Sequence, residues 1–163
     1  MSLKVVQDRT AEVLAEIRAL ADNRVLVGIP SDRAGREEEG LINNAALGYI
    51  HENGSPEANI PARPWLRPGI DKAKEKITAR FKLAAKAALN GEPGSSIQHL
   101  NAAGLIGQNA ARNEIQNGDH LPLSEKTIYR RQHRKVAPRM GERPLIDTGQ
   151  MRNSVTYVIR KKG

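Results

Sequence analysis

Four prolines within one short stretch, Pro56, Pro61, Pro64 and Pro68, constrain this chain more than any other feature. Each fixes its own φ near −65°, removes a backbone donor and pushes the residue before it to extended geometry. Ile60, Trp65 and Leu66 give the stretch apolar surface to bury, so it reads as an ordered, extended connector. Pro68 suits the first turn of a helix that follows.

Periodicity divides the rest. Val13, Leu14, Ile17 and Leu20 lie on one face of a helix over 10–21, with Asp8 or Thr10 as its cap. Arg24 to Ile29 is short, β-branched and stopped by Pro30, which predicts a strand buried on both faces and so central in its sheet. Residues 31–40 form a charged loop, expected to be mobile; its Glu37-Glu38-Glu39 is a solvated run that in a ring would suit a neighbour's basic arm. A second helix runs from Leu41 to Asn53 and ends at Gly54. After the connector, Ile70, Ala73, Ile77, Phe81, Ala84 and Ala88 share one stripe of a long helix over about 69–90. Another helix spans about 96–117. Its Ala103, Gly104, Gly107 and Ala110 permit close approach by a neighbouring helix, although interior glycines cost about 1 kcal/mol each. Ser124 caps a short basic helix over 125–134, and residues 135–143 are irregular. A helical turn at 150–153 then leads to a strand over 155–160. The pattern describes one α+β domain over 1–163: a small antiparallel or mixed sheet flanked by long helices, with a basic arm at 119–143.

Composition sharpens this. Only Tyr49, Trp65, Phe81, Tyr129 and Tyr157 are aromatic, and alanine is plentiful, so the core is thin for 163 residues and self-association is a natural source of stability. No apolar stretch is long enough to span a membrane, and the first residues lack the apolar core of a signal peptide. The net charge of +8 is unevenly placed. Residues 1–80 carry 12 basic and 12 acidic groups, whereas residues 81–163 carry 14 and 6. Between Lys126 and Arg143 lie seven basic residues and one acid. Arg130, Arg131, Arg134 and Lys135 are the candidate contacts there for DNA phosphates or an acidic partner.

Catalytic chemistry finds little support. Without cysteine there is no disulfide, thiol nucleophile or thiolate metal site. His51, His99, His120 and His133 show no metal-ligand spacing, so no metal or cofactor is expected. His51 and Glu52 are adjacent in a helix and do not share a face, which argues against an acid/base pair. Asp147-Thr148-Gly149, preceded by Leu145-Ile146, matches the catalytic tripeptide of aspartic proteases, whose two carboxylates share a proton. That reading demands a homodimer and much β-structure after the tripeptide, yet only 14 residues follow Gly149. The alternative is structural: Asp147 caps the turn at 150–153 and Gly149 supplies an unusual φ.

Two longer stretches carry a more specific signal. One runs from Val27-Gly28-Ile29-Pro30 through Ala45 to Gly54, including His51-Glu52, to Ile60-Pro61-Ala62-Arg63-Pro64-Trp65-Leu66-Arg67-Pro68. The other is Pro144-Leu145-Ile146-Asp147-Thr148-Gly149-Gln150-Met151-Arg152-Asn153-Ser154-Val155. In order and spacing the chain resembles the tail-component and virion-morphogenesis proteins of long-tailed double-stranded DNA bacteriophages and their prophages. Trp65 and Met151 stand where Phe and Leu are common, and 119–143 is the least standard region. The resemblance implies a non-enzymatic structural protein of the virion, made in the bacterial host cytoplasm. It implies a tail-completion or neck-protein-like fold and a place at the head–tail junction or tail terminus. Its partners would be copies of itself in a ring, often six-fold, other neck or tail proteins, and DNA in the channel. No catalytic residues carry over. Arg63, Pro64 and Trp65 would anchor the connector, and Asp147, Gly149 and Ser154 would shape the last turn. Gly28, His51, Glu52, Gly54 and Arg152 belong to the same motifs. Two other classes stand beside it, a basic nucleic-acid-binding protein and a dimeric aspartic protease.

Overall fold

The structure, a computed structural model, describes residues 8–36, 42–92, 94–135 and 138–162. Leu41 and the Glu37-Glu38-Glu39 run lie outside the described residues. In chain order the elements among the described residues are α1 (Thr10–Asp22), β1 (Asn23–Gly28), α2 (Asn44–Asn53), α3 (Leu66–Leu89), α4 (Ser95–Asn117), α5 (Glu125–Gln132), α6 (Gln150–Ser154) and β2 (Thr156–Lys161), with a 3-10 turn at Ser31–Arg33. The architecture is α+β, mostly helical, with β1 and β2 paired antiparallel.

The sheet corrects one expectation. Among the described residues β1 pairs only with β2, so it is not a central strand. Its exposure alternates at the start, and Leu26 is 47% exposed. A β-branched run signals a strand, but it does not report how many neighbours that strand has.

The chain divides into two compact units. The first comprises residues 1–26, 73–107 and 157–163. Its buried apolar side chains are mainly small: Ala84, Ala87, Ala88 and Ala103, with Leu100. Phe81, placed on the apolar stripe by its spacing, is exposed instead. Gly104 lies against the Tyr157 ring, so the small residue admits an aromatic side chain from β2. Glu16 on α1 reaches the start of α4, where Gly94 N and Ser96 Oγ donate to its carboxylate at 3.1 and 2.6 Å. These bonds hold the Glu16 carboxyl below its ordinary range.

The second unit comprises residues 27–72 and 108–156. Trp65, Ala111, Ile115, Leu145, Met151 and Val155 form its core, with Ile29, Leu47 and Ile146 packed around them. Here the close approach of small residues is between helices. A Cβ on Gly69 of α3 would stand 2.9 Å from Ala111 Cα of α4. Gly48 leaves room for the Trp65 ring and Ile29. Part of the 31–40 loop is anchored as well: Ala34 is buried, and Asn44 Nδ2 donates to Gly35 O at 2.7 Å.

Candidate functional site

The motif residues, from Gly28 to Ser154, and the four basic candidates all fall in the second unit. The site begins where α2 meets the start of α3. The first N–H groups of a helix have no intrahelical acceptor, and the approach to α3, Ala62-Arg63-Pro64-Trp65, offers no Ser, Thr, Asp or Asn as a local cap. Glu52 supplies it from α2. Its Oε2 accepts from Trp65 N at 2.7 Å and Leu66 N at 2.8 Å, and its Oε1 from Arg67 N at 3.0 Å. A carboxylate there also meets the positive end of the helix dipole.

Arg63 and Trp65 complete the anchor. The Arg63 side chain is buried, and its Nε and Nη2 donate to Leu121 O and Pro122 O at 2.7 and 2.8 Å. Arg63 N donates to His51 O at 2.7 Å. Trp65 is 3% exposed, and its indole N–H donates to Gly48 O at 3.0 Å. Pro64 is exposed and sets the chain direction between them. Gly54 follows α2 at φ +77°, where a Cβ would meet Ala62 N at 2.9 Å, so glycine is required there on both counts. Gly28 closes β1 with open space around it.

The second motif packs onto this. Gly149 precedes α6 in the left-handed region at φ +80°. Asp147 does not cap α6, which corrects the sequence expectation; its Oδ2 accepts from Arg134 Nη2 at 2.8 Å. Ser154 Oγ donates to Gln150 O and accepts from Asn44 Nδ2 at 3.0 Å. Arg152 Nη1 donates to Gln116 Oε1 at 2.6 Å. Arg112, which the sequence reading did not single out, donates through Nε and Nη2 to Val155 O and through Nη2 to Asn153 O, holding the end of α6.

Between the motifs lies a cavity of about 200 Å³, lined by His51, Arg131, Asp147, Gly149 and Met151 among others. His51 Nδ1 and Asp147 Oδ1 are buried without a hydrogen-bond partner among the described residues. Burial first, then the charges of Arg63 and Arg131 and the nearby His120, push the His51 imidazole from 6.5 down to about 4. His51 is therefore a neutral ring at neutral pH.

The four basic candidates separate. Arg131 turns inward, its Nη1 donating to Arg143 O and Ile146 O and its Nη2 to Pro144 O. Arg134 pairs with Asp147. Arg130 and Lys135 are exposed. Spacing along the chain marked all four as basic but did not report which carbonyls a guanidinium would reach.

Set against protein-family models, curated proteins and solved structures, the chain gives no match. Among the described residues no helix is long and apolar enough to cross a membrane, and no three His, Asp or Glu side chains gather as a metal site would need.

Proposed function

We propose that this chain is a non-enzymatic structural protein of phage or prophage virion assembly, with a tail-completion or neck-like fold. It works at the head–tail junction or tail terminus by forming a ring of its own copies and meeting other neck or tail proteins. One observation carries the reading. The two stretches that bear the resemblance, residues 27–68 and 144–155, contribute Trp65, Leu145, Met151 and Val155 to one core. Their polar residues hold backbone: Glu52 binds three amides and Arg63 two carbonyls. Motif residues used in this way support an architectural role rather than a catalytic one. The first unit adds support, because Leu14, Ile17, Leu26 and Phe81 are exposed while its buried set is mostly alanine, a distribution suited to burial in an assembly.

Negative-stain electron microscopy and native mass spectrometry of the purified chain test the reading. Closed rings of uniform subunit number are expected. A protein that stays monomeric at high concentration, with no effect on virion yield when its gene is deleted, would overturn it.

A further inference from the structure

Seven basic residues lie between 126 and 143, and the fold divides them by use. Arg131, Arg134 and Arg143 are occupied: Arg131 with three carbonyls, Arg134 with Asp147, and Arg143 with Gln116 O at 2.6 Å. Lys126, Arg130, Lys135 and Arg139 are exposed, and their side chains make no hydrogen bond or ion pair among the described residues. Lys126, Tyr129, Arg130 and His133 follow the i, i+3, i+4, i+7 spacing of one helix face, and all four are exposed. Thr127, Ile128 and Arg131, between them in sequence, are the less exposed side. The Tyr129 and His133 rings stack, with centroids 3.9 Å apart and planes at 20°.

We infer that this outward face of α5, with Lys135 and Arg139 just beyond its end, binds the phosphate backbone of nucleic acid without reading its sequence. Protein partners are generally anchored by large apolar or aromatic side chains entering pockets, with charge at the rim. This face carries no aliphatic side chain, and its two aromatic rings are already stacked on each other. What it offers is cations that no internal acceptor neutralises, together with a tyrosine hydroxyl, which are donor types that bind phosphate oxygens. The inward arginines fix the helix against the 143–147 segment, so the outward cations are held on a folded support. The inference rests on this surface alone and does not require a ring.

Fluorescence anisotropy with a mixed-sequence duplex oligonucleotide and the full chain is the test. Four phosphate contacts predict an affinity that falls roughly 150-fold between about 50 and 200 mM salt, from a slope of about −0.9 per contact. The triple variant K126E/R130E/K135E should lose about three contacts' worth of that slope, and roughly tenfold or more in affinity at low salt. The neutral set K126Q/R130Q/K135Q should move the same way, which guards against misfolding of the reversed set. A charge-matched control, K74E/K76E/R80E on the exposed side of α3, should change little. Equal weakening by the α3 and α5 sets would reduce the effect to net charge and overturn the inference. So would absence of binding, or tighter binding to polyglutamate at the same salt, which would indicate an acidic protein partner. Ring formation is scored separately by microscopy, so a chain that assembles but ignores DNA sinks this inference and leaves the assembly reading standing.

Discussion

Glu52 illustrates how one side chain can organise two elements. It closes three amides at the start of α3 from a position on α2. Charge-assisted bonds of this kind are stronger than neutral ones; two of the three are part-buried and one is exposed, and leaving a buried donor unpaired costs about 1–3 kcal/mol. Glu52→Ala should therefore lower stability by about 2–3 kcal/mol in urea denaturation, and Glu52→Gln should recover part of the loss. His51 sets a pH dependence of definite sign. Its folded value of about 4 lies below the ordinary 6.5, so the unfolded chain takes up a proton that the folded one refuses. The contribution is complete above pH 6.5 and is lost as pH falls from there towards 4. Melting curves across that window should show the decline, and His51→Gln should flatten it. Glu52 and Arg63 were legible as motif residues, and Arg63 as part of an anchor, but the groups they hold were not. The amides and carbonyls they hold belong to residues 65–67 and 121–122, and no local pattern records which distant backbone a carboxylate or guanidinium will meet.

Helices were the legible elements. The 3.6-residue stripes placed α1, α3 and α4 close to their observed bounds, because a helix needs only its own residues to close its hydrogen bonds. The partnership of β1 was not legible, since a strand's neighbours are set by the rest of the fold. The small residues of α4 were expected to admit a neighbouring helix; that holds at Ala110, but not at Gly104, and the glycine that approaches Ala110 was not singled out from the sequence. Gly104 meets a tyrosine ring, whereas Gly69 meets the backbone of α4. The difference can be measured. In Gly69→Ala the new Cβ would press on Ala111 Cα and Ala110 O, which have no rotamer to yield, so a loss of about 1–3 kcal/mol is expected in thermal or chemical unfolding. Gly149→Ala has open space around it and should lose only the cost of a left-handed alanine, about 1–2 kcal/mol.

For the molecule as a whole, the two units differ in what they bury. The second has Trp65, Ile115, Met151 and Val155 inside, whereas the first leaves Leu14, Ile17, Leu26, Leu83 and Leu105 exposed. Each is 36–48% exposed, so burying the remainder would gain up to roughly half of the about 1.5–3 kcal/mol that a fully exposed side chain gains. On the assembly reading a second copy provides that burial. Leu14→Glu combined with Ile17→Glu should keep the helical signal in circular dichroism and remove the large species from native mass spectra. Rings that persist would place the interface elsewhere. The sheet carries a consequence in time. Residues 29–155 separate β1 from β2, so β1 leaves the ribosome long before its only described partner exists. At about 5–20 residues per second, the wait is on the order of ten seconds. During translation the cell holds a chain with an unpaired strand edge, and that interval is when premature pairing between nascent copies has its opportunity.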